Sequence, residues 1–364
     1  MAQAHTPDVE GFSRAVDQLR AEVLAQLGPD DLRHLTRVRL LGLLATILGL
    51  ATGWIAPNPI SAFLLGYGRT IRLTVGHHVC HRAYDRVPGV PAHLTSARFG
   101  KGWRRFVDWF DWAEIDAWTY THNQHHAHTN SAEDPDVMAY TYVSQRPRWM
   151  RPLVLIGAMA TFKAAYYTPR MQLAYAETAP GAAPPRMWQV WRPEVAHVWA
   201  VMAPYAIFHF GVLPALFWPL GAWAMFSILV NSLLGEALTN AMVFIAVGST
   251  HVAPDVPLFD ERVRGKSEYY LRCVLAAVDY TGRGDLASGF QVWCNYQVAH
   301  HLWPEFTLLR YQQVQPRLEE LLRTYGIPYR QEPMFRRFRR SVDLYLGRGE
   351  HRPSPNAAAL LPAA

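Results

Sequence analysis

The stretch LLGLLATILGLATGWIA, residues 40–56, carries no charge and is about the length a helix needs to cross the hydrocarbon core of a bilayer. Pro57-Asn58-Pro59 then signals a turn, and residues 60–75 form a second apolar stretch interrupted in its last turns by Arg69 and Arg72. Arginines near a helix end reach the headgroups on long apolar stems, so these two are expected to snorkel rather than to sit at mid-bilayer. The two segments read as a tight hairpin. A longer tract, residues 197–248, holds no Lys or Arg and suffices for two further crossings that reverse at Pro219-Leu220-Gly221. The reading is therefore an all-α fold: a four-span transmembrane helical bundle, with spans at about 40–57, 59–76, 197–219 and 221–247.

Composition agrees with that partition. Of 364 residues half are hydrophobic and 18% charged, and the mean hydropathy of −0.05 reflects apolar and polar blocks rather than a uniform mixture. Three cysteines, Cys80, Cys273 and Cys294, without CxxC spacing, exclude a disulfide framework and a local thiolate zinc site. The net charge of +6 is arginine's, since lysine occurs only at Lys101, Lys163 and Lys266. The first 37 residues carry Asp8, Glu10, Asp17 and Glu22, with no basic leader before a short apolar core, so no signal peptide is expected. Arg33, Arg37 and Arg39 precede the first span, Arg82, Arg86, Arg98, Lys101, Arg104 and Arg105 follow the second, and Arg262, Arg264 and Lys266 follow the fourth; neither hairpin turn holds Lys or Arg. The positive-inside rule then places both termini and residues 77–196 in the cytoplasm.

The expected organisation is an N-terminal cytoplasmic segment at 1–37, a main membrane domain at 38–310 whose cap is 77–196 and 248–310, a C-terminal helical region at 311–350 and a disordered tail at 351–364. Residues 153–160 are apolar but too short to cross and read as interfacial or buried. Over residues 103–121, Phe106, Trp109, Phe110, Ala113 and Ala117 recur at helical spacing, with Asp108 and Asp111 opposite and Asp116 at the margin, which predicts one amphipathic helix.

The sixteen histidines are not spread evenly. His77-His78-Val79-Cys80-His81 begins where the second span ends, and His77 and His81, four apart, share a helical face. His122-Asn123-Gln124-His125-His126 sets His122 beside both later imidazoles, and Gln297-Val298-Ala299-His300-His301 repeats the spacing with glutamine first. His251 lies just past the fourth span. A lone HxxxH is more often a surface or core feature than a ligand pair. Three such clusters on one predicted membrane face are not explained that way. Eight imidazoles exceed what one zinc ion takes, so two metals are the natural count, while imidazole alone suits iron, copper, zinc and nickel equally.

HHVCH at 77–81, HNQHHAHTN at 122–130 followed by EDPD at 133–136, and NYQVAHHLWP at 295–304 resemble the three histidine boxes, HxxxH, HxxHH and QxxHH, of the membrane fatty acid desaturase family. Order, spacing and four-span layout match over about residues 38–310. The resemblance implies a non-haem di-iron centre in a cytoplasmic cap, oxygen as co-substrate, and an acyl chain threaded between the helices. By position it assigns His77 and His81 to box one, His122, His125 and His126 to box two, His300 and His301 to box three, and His251 to the family's additional histidine. Box one often has Asp after its first His, where His78 stands here as a spare, an outer-shell group or a ligand. Gln297 at the head of box three touches metal or leaves its place to water.

Around these boxes, Asp116 could hold an imidazole N–H or be an ordinary surface carboxylate. Glu133, Asp134 and Asp136 resemble the acidic end of the second box, or make a turn with Pro135. Asn231, Glu236 and Asn240 lie in the fourth span, where polar groups face the bundle, and either line a substrate path or bond between helices. Cys80 reads as a small filler and His128 as a bystander. No flavin, nicotinamide or haem motif occurs, including HPGG, so electrons are expected from a separate protein such as a ferredoxin or a cytochrome b5-like carrier, docked on the basic run Arg336 to Arg340 or leaving that run to anionic headgroups. The expected activity is an acyl desaturase-type oxidoreductase of a bacterial inner membrane, acting on an acyl chain linked to CoA, acyl carrier protein or lipid. A hydroxylase, ketolase or acetylenase on the same scaffold is the nearest alternative. A metal transporter fits less well, because its histidines would lie within the spans.

Overall fold

The computed structural model describes residues 8–136, 140, 143–176, 178 and 196–361. Helix α1 (Val9–Leu24) starts at Asp8, whose carboxylate accepts from the Gly11 amide at 2.8 Å. In α2 (Pro29–Gly53) the first residue is a proline, pre-set for a helix start, and Asp31 accepts from the Gly28 amide at 2.9 Å. The helix runs unbroken past residue 37. Asn58 caps α3 (Pro59–Cys80) through the Ser61 amide, 2.8 Å away.

Three stretches are long and apolar enough to cross a membrane among the described residues: Pro29–Gly53, Ala196–Leu220 and Ala222–His251. The expected second span, α3, is not one of them. Arg69, Arg72 and two terminal histidines lower its hydropathy, and it lies sheltered between α2 and the last membrane helix instead of facing lipid. Arg69 does not snorkel. Its guanidinium reaches the Ser232 carbonyl at 2.8 Å and Glu236 at 3.3 Å, inside the bundle. The helices approach closely where side chains are absent: a Cβ at Gly66 would lie 2.7 Å from the Gly235 carbonyl oxygen, and one at Gly68 the same distance from that of Gly42. Leu40, Leu43, Leu44 and Ile47 of α2 point outward, about half exposed, as lipid-facing residues do.

Residues 103–121 do not form one helix. A short helical stretch ends at Asp108, the chain bends through residues 109–114, and α4 (Ile115–His128) begins anew. Periodicity misleads because this stretch buries both kinds of residue: Trp109 and Trp112 pack inside, Asp108 is held by Arg104 at 2.6 Å, and Asp111 by Lys163 at 2.6 Å. Further on come α5 (Arg151–Phe162), which exposes Leu153 and Ile156, α6 (Thr168–Ala176), α7 (Ala196–Ile207) and α8 (Ala222–Val243). Widened π turns at Lys163–Tyr167 and Phe244–Gly248, a rare geometry frequent at functional sites, extend α5 and α8.

Beyond α8 the chain forms α9 (Lys266–Leu275), α10 (Gln297–Leu302), α11 (Leu308–Thr324) and α12 (Met334–Tyr345). While α12 packs Leu344 and Tyr345 in a cluster with Phe244 and Val252, helices α9, α10 and α11 enclose with α1 a core around Phe12, Val16, Tyr311, Leu318 and Trp303. Two short parallel pairs tie it: β1 (Pro257–Phe259) with β4 (Arg352–Ser354), and β2 (Asp279–Tyr280) with β3 (Gln331–Glu332). The tail expected to be disordered is therefore ordered through β4, and Ala357 is fully buried.

Candidate metal centre

Four helical segments bring the histidines together. α3 delivers His77 and His81, α4 delivers His122, His125 and His126, α10 delivers His300 and His301, and the end of the α8 extension delivers His251. Asp279 positions α10 by accepting from the Val298 amide at 2.8 Å, and burial raises its carboxyl to about 7. The imidazoles form two groups: His77, His81, His122, His126 and His300, then His125, His251 and His301, each with ligand atoms within 4.8 Å of one another. The groups adjoin, with the rings of His126 and His301 centred 4.4 Å apart.

Their nitrogens face one another with too few protons for the contacts. His77 Nε2 lies 2.9 Å from His300 Nε2 and 3.0 Å from His122 Nε2, and His122 Nε2 lies 3.1 Å from His126 Nε2. An imidazole nitrogen has one in-plane direction, for a proton or a lone pair, so His77 and His122 cannot hydrogen-bond two partners each. His81 Nε2 and His126 Nδ1 are buried with no partner. Burial holds His81, His122, His126, His300 and His301 well below the usual imidazole range, hence neutral. Convergent neutral lone pairs are a donor set for first-row cations, and the residues fit such ions.

The opposite ring nitrogens are anchored. Tyr311 gives its own hydrogen to the Trp303 carbonyl at 2.9 Å or that of Pro304, leaving its oxygen to accept from His300 Nδ1–H at 3.1 Å. Thr129 likewise donates to the His125 carbonyl at 2.8 Å and accepts from His301 Nδ1–H at 3.2 Å. His251 Nδ1–H donates to the Ala276 carbonyl at 3.0 Å. His125 Nδ1 faces Asp134 at 2.9 Å and Asp136 at 3.5 Å; against the effect of burial, these carboxylates push its pKa up to about 9. Each such acceptor turns Nε2 inward.

A narrow, largely apolar cavity adjoins both groups, touching His77, His122 and His251, with Leu73, Trp118 and Met171 among its walls and Asp111 and Lys163 at its edge. The fatty acid desaturase family's sequence profile matches residues 52–333, more than half of the chain. The chain belongs to the fatty acid desaturase family. Compared one by one with characterised proteins, it matches none. Membership makes this desaturase-family protein an oxidoreductase of fatty acyl lipid, embedded in a membrane by its apolar helices.

The seven box histidines and His251 all fall in the two groups. The neighbours divide. His78 belongs to neither group; it stacks on His77, and its Nδ1 has no partner. Gln297 is buried and donates to the Cys294 carbonyl at 3.2 Å, with its side chain near His251. Asp116 holds no imidazole and instead pairs at the surface with Lys101 at 3.1 Å. His128 pairs with Glu133, and Cys80 is a partly buried free thiol. None of Asn231, Glu236 and Asn240 lines this cavity. Asn231 fastens the first hairpin turn through the Asn58 amide and the Gly53 carbonyl, while Glu236 accepts from Arg69, Trp112 and Tyr205, and Asn240 from the Lys163 amide. Sequence reading missed Tyr311, Thr129 and Lys163, which follow no local spacing.

Proposed function

We propose that the protein is an oxygen-dependent desaturase that introduces a double bond into a fatty acyl chain. The observation that carries this reading is the convergence of eight imidazoles from four separate segments into two adjoining groups beside an apolar cavity. Two iron ions would be held, one by His77, His81, His122, His126 and His300 and one by His125, His251 and His301 with the Gln297 amide alongside; when bound they supply the oxygen activation that breaks unactivated C–H bonds. The chain's own residues do the rest. An alkyl chain has no polar handle at its reacting carbons, so the narrow walls at Leu73, Trp118 and Met171 orient it against the Nε2 faces and keep water away. Tyr311, Thr129 and Asp134 hold the rings in the required tautomer.

Four spans, with both termini and the imidazoles on the cytoplasmic side, accord with the arginine distribution. An external one-electron carrier with an acidic surface would dock on α12. That surface is smaller than the basic run suggests, because Arg337 is fully buried against Asp255 and the Ser249 carbonyl, and Arg340 pairs with Glu332, leaving Arg336 and Arg339. Iron analysis of purified protein, joined to lipid profiling of an expressing host, tests the function. Two irons per chain and a new unsaturated acyl product are expected, and His125→Ala or His300→Ala should abolish turnover and lower bound iron. Full turnover in either variant defeats the ligand assignment, and an oxygenated product in place of the alkene assigns hydroxylation.

A further inference from the structure

A second constellation of charge lies on the far side of α3 from the imidazole cavity. A groove between α2 and α3 is walled by Leu40, Leu43, Ile71 and Val107 and contains two cations, Arg39 and Arg72. Neighbouring arginines are engaged: Arg69 with Glu236 and the Ser232 carbonyl, Arg104 with Asp108, Arg105 with the Val201 carbonyl. Arg39 and Arg72 make no hydrogen bond or ion pair among the described residues. The groove's one carboxylate, Asp108, gives its oxygens to Arg104 at 2.6 and 2.8 Å, and Asp111, the other carboxylate whose charge reaches Arg72, pairs with Lys163 at 2.6 Å.

Their depth agrees. Arg39 lies 14 residues before the end of α2 at Gly53 and Arg72 lies 13 after the start of α3 at Pro59. Both are thus about 20 Å from the hairpin turn, at 1.5 Å per residue. There the uncharged run of α2 ends, and beside it the adjoining loop exposes Trp103 and Phe106, residues of the kind that settle at a bilayer interface. Leu40 and Leu43, outward-facing and apolar, continue the groove into the lipid region.

We propose that this groove is a binding site for an anionic glycerophospholipid, its phosphate held by the guanidinium groups of Arg39 and Arg72 and an acyl chain lying along Leu40 and Leu43. A soluble anion would satisfy the arginines but leave the apolar walls uncovered. A zwitterionic lipid brings its own cation to a groove that already holds two. The site is independent of the oxidative chemistry.

The test uses full-length, metal-loaded protein in detergent, with lipid retention read by native mass spectrometry and melting temperature alongside. The probes are dioleoyl phosphatidylglycerol, phosphatidylcholine of the same chains, and inorganic phosphate. Phosphatidylglycerol alone should be retained and raise the melting temperature, and Arg39→Gln and Arg72→Gln should each weaken retention about fivefold. Arg317→Gln, in α11 and away from the groove, should change nothing. Arg39 is exposed and unbonded, so its replacement leaves the fold intact should Arg72→Gln fail to fold. Equal stabilisation by inorganic phosphate or by phosphatidylcholine overturns the proposal, as does undiminished retention in Arg39→Gln or an equal loss in Arg317→Gln.

Discussion

Asp134 belongs to neither imidazole-only group, yet its fully buried carboxylate meets His125 Nδ1 at 2.9 Å and also accepts the amides of Asn130 at 2.7 Å and Asp136 at 2.8 Å. A carboxylate so placed fixes the tautomer and raises the basicity of the inward nitrogen. Asp134→Asn should lower metal affinity about 10–100-fold in chelator competition, the usual scale for such outer partners. Tyr311→Phe, which removes a neutral acceptor from His300, should cost less. Unchanged affinity in Asp134→Asn would reduce that residue to a turn cap. The clustering of the histidines was legible because spacing of three and four places imidazoles on one helical face. Of the acceptors behind them only Asp134 stood out, at the acidic end of the second box, because Tyr311 and the Ala276 carbonyl arrive from other helices. Asp116 was singled out for nearness in sequence, and its position on α4 turns it toward Lys101.

Elements meet here through what is missing as much as through what is packed. At Gly66 any side chain would strike backbone of α8, the Gly235 carbonyl, and backbone cannot step aside as a flexible side chain can. Gly66→Leu should therefore separate α3 from α8 and destabilise by about 1–3 kcal/mol or more. Gly157→Ala on α5, where a Cβ meets nothing within 4 Å, should be neutral or slightly stabilising. Melting of the two variants in detergent decides it; equal melting would mean the helices are not in this contact. The hydrophobic runs made α2, α7 and α8 legible. The 103–121 segment failed because amphipathic spacing assumes that charges face water, whereas Asp108 and Asp111 are buried against Arg104 and Lys163. A long-range ion pair such as that of Asp111 with Lys163 leaves no periodic trace.

Across the whole molecule, both hairpin turns lie at one end and the eight clustered histidines at the other. Trp223, just after the second turn, donates to the Ile55 carbonyl of the first at 2.9 Å, which aligns the two turns. Their distance from the imidazoles follows from the helices between, since about 20 residues of α3 at 1.5 Å each separate Asn58 from His77. On the proposed topology the positive-inside rule would set the imidazoles on the inner side, an orientation that labelling tests. A test needs accessible positions: Ile55 and Leu220 are exposed at the turns, and Glu320 is exposed on α11 beyond the imidazoles. With Cys80, Cys273 and Cys294 replaced by alanine, Ile55→Cys and Leu220→Cys in intact cells should react with a membrane-impermeant maleimide, and Glu320→Cys only after permeabilisation. The reverse pattern would invert the molecule and put the imidazoles, and any electron carrier docking on α12, on the outer side. Labelling of one turn but not the other would mean that one hairpin fails to cross, and α3, the least apolar of the four segments, would be the first to reassign.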